Sequence, residues 1–158
     1  MPWVVLIAAI IAGLDQLTKW WVVHSLQPDE SRVVIAGFFD LVNWRNTGAA
    51  WGMFRNHNLV FTVILVLALA TLVWFRHSFQ LNRPSARIAL GLMLGGIAGN
   101  LIDRLRVGQV IDFLLFYIGG YHWPAFNVAD SAICVGVGLY VILTWRSEHD
   151  GRKARAAS

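Results

Sequence analysis

Residues 59–75 read LVFTVILVLALATLVWF and include no charged residue. A helix of this length, at about 1.5 Å per residue, reaches roughly 26 Å, which is enough to cross the hydrocarbon core of a bilayer. The rest of the chain has a similar character, because 57% of its 158 residues are hydrophobic and only 14% are charged. A soluble domain has about 25% charged residues. The sequence therefore predicts a membrane protein.

Three further apolar segments are long enough to span a bilayer. We predict an all-α membrane protein that forms a single domain over residues 1–158, with four transmembrane helices at 2–23, 59–75, 88–104 and 125–145. The segment 25–58 has β-branched and aromatic residues in patchy alternation, which indicates short strands. We expect it to form a small β-sheet on the outer membrane surface, where its aromatic residues either contact lipid or an apolar ligand or simply cap the helices. The basic tail, residues 146–158, is predicted to be disordered.

The basic residues follow the pattern of a membrane topology signal. Seven Lys and Arg residues lie in the loop 76–87 and the tail, and five lie on the opposite side of the predicted membrane. Because basic residues are more frequent on the cytoplasmic side, this distribution favours both termini in the cytoplasm. Basic residues in short loops do not form the continuous soluble face that binds nucleic acid, so we expect no nucleic-acid partner.

Two aspartates lie in apolar surroundings. Asp112 and Asp130 have no Lys or Arg within four positions, and a carboxylate near lipid is costly unless it pairs, forms hydrogen bonds or does chemistry. Two carboxylates close together cannot both ionise cheaply, so one keeps a proton and the other acts as a base. Such a pair can direct water against a peptide carbonyl. Gly119, Gly120 and Pro124 lie between them, and a chain that turns back there would bring the two side chains together.

The predicted third helix carries a glycine pattern and then a polar stripe. Gly91, Gly95 and Gly99 recur at every fourth position, which favours close packing between helices. Three polar residues follow on one helix face, which should be turned toward protein or water: Asn100, Asp103 and Arg104.

The first and fourth helices each carry a polar pair. Asp15 and Lys19 are four positions apart and can form an ion pair. This pair either lowers the cost of its own burial or lines a polar cavity, and the two interpretations are compatible. Asn127 and Asp130 are three positions apart and share a face of the fourth helix.

Other site chemistries have weak support in this sequence. The motifs H-E-x-x-H and G-x-S-x-G are absent, which argues against that class of zinc protease and against a serine nucleophile. A metal held by His122, Asp112 and Asp130 is a minor alternative, since His122 beside two aromatic residues fits an interfacial position. The single cysteine, Cys134, is more typical of a small buried residue than of a nucleophile. We expect no metal and no cofactor.

Five short motifs then occur in order: LDQLTK at 14–19, NTGAAWG at 46–52, GGIAGNLIDR at 95–104, VIDF at 110–113 and FNVADS at 126–131. Through them nearly the whole chain resembles the bacterial lipoprotein signal peptidases, also called signal peptidase II. The resemblance implies a four-span aspartyl endopeptidase of the inner membrane, with its site near the outer face. It would cut prolipoproteins just before a cysteine that carries diacylglycerol, and we expect it to work as a monomer.

The resemblance also implies roles for single residues. Asp112 and Asp130 fall on the catalytic aspartates, and Asp15, Lys19 and Asp103 fall on structural polar positions. Six more residues fall on polar or close-packed positions around the substrate: Asn46, Gly48, Asn100, Arg104, Asn127 and Ala129. The forked donors of Arg104 either hold substrate backbone carbonyls or the lipid ester, or Arg104 forms a structural salt bridge with Asp103 or Asp15. Trp51 departs from the family, in which Phe is more usual at this position.

Two other functions compete with this interpretation. A small proton-coupled transporter also needs acidic and basic residues within the membrane, but it predicts an inverted repeat with matched broken helices, which the sequence lacks. A membrane scaffold held together by glycine packing would leave the clustered Asn, Asp and Arg residues unexplained.

Overall fold

Four helices and a small sheet form the protein. A computed structural model describes residues 1–48, 53–54 and 57–156. The helices are α1 (Pro2–Ser25), α2 (Asn58–Trp74), α3 (Pro84–Val107) and α4 (Val128–Ala156), and a 3-10 turn (Phe75–Phe79) follows α2. Each helix contains a stretch that is long and apolar enough to cross a membrane. The predicted fold, four membrane helices with a small sheet, is therefore confirmed.

Helix α3 is the central helix of the bundle, and glycines allow its neighbours to approach. A Cβ atom added to Gly95 would lie 2.7 Å from the backbone oxygen of Ala8 in α1. One added to Gly96, on the α4 side, would overlap the backbone oxygen of Ala129. Only glycine fits such positions without displacing a neighbour, so the glycine pattern of α3 serves close packing on two sides.

The sheet has four antiparallel strands in the order β1-β2-β3-β4. The strands are β1 (Ser31–Ile35), β2 (Phe39–Asn46), β3 (Val110–Ile118) and β4 (Tyr121–His122). Strands β1 and β2 lie in the segment predicted to form strands, whereas β3 and β4 come from residues that the sequence analysis left unassigned. Gly119 and Gly120 connect β3 to β4 with φ angles of +55° and +88°. Two glycines at positive φ form the tight turn that a two-residue hairpin requires.

A hydrophobic cluster attaches the sheet to the helices. Val22 and Leu26 at the end of α1 pack against Phe113 of β3, and Val128 at the start of α4 packs against the same cluster. The buried side chain of Asn43 in β2 adds a hydrogen bond of 2.9 Å to the backbone oxygen of Leu26. These contacts hold β3 against the first turn of α4.

Both ends of helix α4 differ from the prediction. Helix α4 begins at Val128 and not at 125, because Phe126 is still extended and exchanges backbone hydrogen bonds with Leu114 of β3. The same helix continues through Ala156, where a disordered tail from 146 was predicted. Ala, Arg, Lys and Glu dominate this segment and are strong helix formers, so the charged composition did not prevent helix formation.

Candidate active site

Asp112 and Asp130 line one cavity of about 650 Å³. Asp112 lies on β3 and is only 4% exposed, and Asp130 lies in the first turn of α4. Four of the other residues predicted for the site line the same cavity: Asn46, Gly48, Asn100 and Arg104. The turn between β3 and α4 thus brings the two aspartates to one place, as the glycines and the proline between them suggested.

Asn127 contacts both carboxylates. Its side-chain Nδ2 donates to Asp112 Oδ1 at 2.8 Å, and its backbone N–H donates to Asp130 Oδ2 at 3.2 Å. In return, its Oδ1 accepts the backbone N–H of Asp130 at 2.9 Å. This exchange between the residue before a helix and the third residue within it is a capping box. The cap that starts α4 therefore also sets the position of one carboxylate relative to the other.

Two more asparagines donate to the remaining carboxylate oxygens of Asp112 and Asp130. Asn46 donates from Nδ2 to Asp112 Oδ2 at 3.0 Å, and Asn100 donates from Nδ2 to Asp130 Oδ1 at 2.7 Å. Asn46 is itself held, since its Oδ1 accepts the backbone N–H of Gly48 at 2.9 Å. Each of the four carboxylate oxygens consequently accepts one N–H from this part of the protein.

The surroundings of Asp112 raise the pKa of its carboxyl group. Burial, and in second place the neighbouring Asp130 carboxylate, raise the pKa of Asp112 from 3.8 to about 7, against the opposing effect of the hydrogen bonds from Asn46 and Asn127. A carboxyl group with such a pKa exchanges its proton near neutral pH, as a group that acts as acid or base needs to do.

A buried ion cluster lies behind the cavity. Lys19 Nζ lies 2.7 Å from Asp15 Oδ2 and 2.7 Å from Asp103 Oδ2, so the predicted pairing of Asp15 with Lys19 is confirmed and extended. Gln16, which the sequence analysis did not single out, donates to Asp103 Oδ1 at 2.8 Å. None of these four residues lines the cavity, so the cluster supports the site from behind.

Arg104 is turned away from that cluster. Its guanidinium donates to the backbone oxygen of Gly48 at 2.8 Å and to Asn58 Oδ1 at 3.1 Å, and it lies 4.9 Å from the centre of the Phe61 ring. Among the described residues it forms no ion pair with Asp15 or Asp103, whose carboxylates are held by Lys19. The alternative of a structural salt bridge from Arg104 to Asp103 or Asp15 is therefore wrong.

Asn58, the partner of Arg104, was not among the residues that the sequence predicted for the site. Asn58 returns a hydrogen bond from Nδ2 to the backbone oxygen of Arg104 at 3.3 Å, so the two residues hold each other. The available signal was a single Asn at the start of an otherwise uncharged apolar helix, which is a place where a polar side chain needs a partner.

Ala129 and Asn127 lie just outside the cavity wall. Ala129 is fully buried against Gly96, and its backbone N–H donates to Asp15 Oδ1 at 2.9 Å. Asn127 is also fully buried. Both residues thus position Asp130 from the side of the helix bundle, and neither is part of the cavity surface.

The rest of the cavity wall is mainly apolar. It includes Phe61, Ile64 and Leu65 of α2, together with Ile133 and Cys134 of α4. The wall can accept a hydrophobic ligand beside the two carboxylates. Residues 49–52 of the NTGAAWG motif, including Trp51, lie outside the described residues.

His122 lies in β4, away from the two aspartates. It is exposed, and its ring stacks on that of Tyr117 with 5.2 Å between the centroids. It is not part of the cavity wall, and the part of the chain that the structure describes contains no group of three or more His, Cys, Asp or Glu side chains suited to a metal. The alternative of a metal held by His122 with Asp112 and Asp130 has no geometric support.

Comparisons with known proteins agree on one family. Residues 7–146 match the family model of signal peptidase (SPase) II. The chain is 47% identical over 144 residues to a lipoprotein signal peptidase of Syntrophotalea carbinolica, a match that covers 89% of each chain. It is 40% identical over 153 residues to a lipoprotein signal peptidase of Bacillus pumilus, covering 97% of each.

Solved structures show the same fold. A structure described as a bacterial membrane enzyme at 2.3 Å resolution superposes with a TM-score of 0.84 at 33% identity, covering 93% of this chain and 90% of the other. A second bacterial membrane enzyme structure, at 1.9 Å resolution, gives a TM-score of 0.77 at 35% identity, with 89% and 91% covered. With its four membrane helices and a family model that matches most of its length, the chain belongs to the signal peptidase II family, that of the lipoprotein signal peptidases.

Proposed function

We propose that the protein is an aspartyl endopeptidase that removes the signal peptide from diacylglyceryl-modified prolipoproteins, cutting just before the lipidated cysteine. The observation that carries this proposal is the arrangement of Asp112 and Asp130, a buried and a partly buried carboxylate on one cavity, which a single residue, Asn127, contacts through two hydrogen bonds. Paired carboxylates at one site are a known means of activating water for peptide hydrolysis.

The two aspartates have different surroundings, and this difference supports different roles in the reaction. Asp130 lies at the third position of α4 and accepts a backbone N–H there, and the positive end of a helix dipole favours a carboxylate anion. Asp112 lies on a strand, and its pKa of about 7 lets it hold a proton at neutral pH. We therefore assign Asp130 as the base and Asp112 as the acid.

The reaction then follows in two steps. Asp130 takes a proton from water as the water oxygen bonds to the scissile carbonyl carbon, and the Asp112 proton stabilises the oxygen that becomes negative. When the intermediate collapses, the C–N bond breaks and the proton on Asp130 passes to the leaving nitrogen. The proton that Asp112 had shared with the substrate oxygen returns to Asp112. The products are a new carboxyl terminus and a new amino terminus, and no cofactor enters the scheme.

The cavity wall supports a lipid-bearing substrate. Apolar side chains of α2 and α4 can cover acyl chains, and the forked donors of Arg104 suit peptide carbonyls near the cleaved bond. A substrate anchored in the bilayer reaches such a site from the membrane. We place the protein in the bacterial inner membrane as a monomer, with both termini in the cytoplasm and the site near the outer face, in line with the distribution of basic residues.

The direct test is product identification with purified protein in detergent. A prolipoprotein carrying diacylglycerol on its cysteine should be cut so that mass spectrometry finds the lipidated cysteine at the new amino terminus. The same precursor without lipid should be cut much more slowly, since it lacks the acyl chains that the apolar wall binds. Cleavage at another bond, or binding of the lipidated precursor without any cleavage, would reject the proposal, and binding alone would favour the scaffold function.

The pH dependence of cleavage should reflect the proton shared by the pair. Because the pKa of Asp112 is raised to about 7, the proton needed by the acid is present below that pH and is lost above it. We expect kcat/KM to fall above pH 7 by up to about tenfold per pH unit, with a midpoint that belongs to the pair and not to one residue. Initial rates between pH 5 and pH 9 measure this, and a constant kcat/KM between pH 6 and pH 9 would contradict the assignment.

A further inference from the structure

We infer that Lys19 is a positioning residue for catalysis, which orients Asn100 and the first turn of α4 so that Asp130 faces the cavity in its working geometry. The inference rests on the proposed aspartyl pair and extends it to a residue that touches neither the cavity nor the substrate. Two separate chains of hydrogen bonds start at Lys19, and they end at the Asp130 carboxylate and at the backbone N–H of its neighbour Ala129.

The ammonium group of Lys19 uses all of its hydrogen-bond donors. It is 2% exposed and has three acceptors, Asp15 Oδ2 and Asp103 Oδ2 at 2.7 Å each and Asn100 Oδ1 at 2.9 Å. An ammonium has three N–H donors, so every donor has a partner. The two carboxylates cover the charge, and the third contact goes to a neutral amide. That third contact satisfies the last buried donor and also connects Lys19 to a residue that donates to Asp130.

The first chain runs through Asn100. Its Oδ1 accepts from Lys19 and from Asn127 Nδ2 at 3.2 Å, so its own Nδ2 is left to donate to Asp130 Oδ1 at 2.7 Å. With the amide flipped, an NH2 group would face the ammonium of Lys19 and an oxygen would face the carboxylate of Asp130. Both contacts would be repulsive. Lys19 therefore reinforces, together with Asn127, the orientation in which Asn100 donates to the Asp130 carboxylate.

The second chain runs through Asp15. Its Oδ2 is held by Lys19, while its Oδ1 accepts the backbone N–H of Ala129, the residue before Asp130. Gly99 permits this approach, since a Cβ there would lie 2.5 Å from Asp15 Oδ2. Asp15 is fully buried and needs a cation beside it to remain ionised. Lys19 thus also maintains the contact that holds the first turn of α4.

The position of Lys19 behind the cavity wall separates its role from substrate binding. Replacing it should lower kcat and leave KM nearly unchanged, because the surface that the substrate contacts stays the same. We expect a loss of roughly 30-fold in kcat for Lys19→Met, which is the scale expected for one buried hydrogen bond to a charged group.

A double-mutant cycle with Asn100 is the decisive experiment. Wild type, Lys19→Met, Asn100→Ala and the double variant are compared for kcat and KM on the lipidated precursor. Of the two routes, the one through Asn100 reaches the Asp130 carboxylate directly and should carry most of the effect. The Lys19→Met substitution, which costs about 30-fold in the wild type, should therefore cost less than about fivefold once Asn100 is gone. Equal losses in both backgrounds, a wild-type kcat in Lys19→Met, or a loss confined to KM would each overturn the inference.

A second background guards against loss of the fold. Lys19→Met alone leaves two buried carboxylates, Asp15 and Asp103, without their cation, whereas Lys19→Met with Asp103→Asn leaves only one. Its reference is Asp103→Asn alone, which keeps the contact from Lys19 to Asn100. The same cycle is measured in this background if Lys19→Met by itself does not give a cooperative thermal transition in detergent.

Failure of the inference can be told apart from failure of the proposed function. Asp112→Asn and Asp130→Asn are run in the same assay. If both are inactive and the Lys19 cycle is additive, the aspartyl pair stands and only the positioning role is rejected. If either aspartate variant cleaves at the wild-type rate, the proposed function itself is wrong.

Discussion

Replacing either aspartate of the pair with asparagine should lower the rate of prolipoprotein cleavage by about 1,000-fold, and the protein should stay folded. General acid–base groups typically contribute 100-fold to 10,000-fold, and Asn can neither hold the transferable proton of Asp112 nor take a proton from water in place of Asp130. The substitutions keep the size of each side chain. The oxygen of an Asn at 130 can still accept the backbone N–H of Asn127, so the start of α4 is preserved. Initial cleavage rates and thermal unfolding in detergent measure the two quantities.

Asp40→Asn is the matched control. Asp40 is also a buried carboxylate, but it lies in β2, accepts from Ser31 and Tyr117, and is not part of the cavity wall. Its substitution should leave kcat close to that of the wild type. If Asp112→Asn or Asp130→Asn retained as much activity as this control, the pair would not be the catalytic group of the enzyme.

Asn127→Ala should have the second-largest effect, a loss of about 100-fold in kcat together with a lower unfolding temperature. The substitution removes the donor to Asp112 Oδ1 and the acceptor that caps α4, so it acts on both carboxylates and on the helix start. Loss of an Asn cap costs about 1 kcal/mol, and loss of a charged hydrogen bond costs about 1.5–3 kcal/mol. Steady-state kinetics and thermal unfolding in detergent report these two losses separately.

Asn127→Ser separates the cap from the catalytic contact. Serine caps a helix about as well as asparagine but has no amide group that reaches Asp112. We expect a wild-type unfolding temperature with kcat still well below that of the wild type. Full activity in Asn127→Ser would mean that the amide of Asn127 serves only the helix and does not hold the catalytic pair in position.

The sequence alone determined the helical framework and most of the site. Long apolar runs predict membrane helices reliably, because lipid offers no hydrogen bonds and the backbone must satisfy its own polar groups. Asp112 and Asp130 stood out for a related reason, since a carboxylate far from any basic neighbour in an apolar segment needs a function. Both arguments use only local composition, which a sequence displays directly.

Strands β3 and β4 were not predicted, although a signal was present. VIDFLLFYI is apolar nearly throughout, and such a run can be a strand or part of a buried helix. The Gly119–Gly120 pair, followed by aromatic residues, is typical of a two-residue hairpin and would have favoured the strand. The partner that completes the sheet is β2, whose residue Trp44 lies opposite Asp112 across a long separation in the chain.

The contacts that organise the site were decided by tertiary structure. Sequence spacing indicated that Asp15 could pair with Lys19 within one helix, and this pairing is present. No local pattern shows that Lys19 also reaches Asn100, that Asp15 accepts from Ala129, or that Asn127 contacts both aspartates. Most of these contacts join different helices, or a helix and a strand, at distances set by the glycines of α3. The sequence therefore determined which residues we propose for the chemistry, and the packing of α1, α3 and α4 decided how their hydrogen bonds are directed.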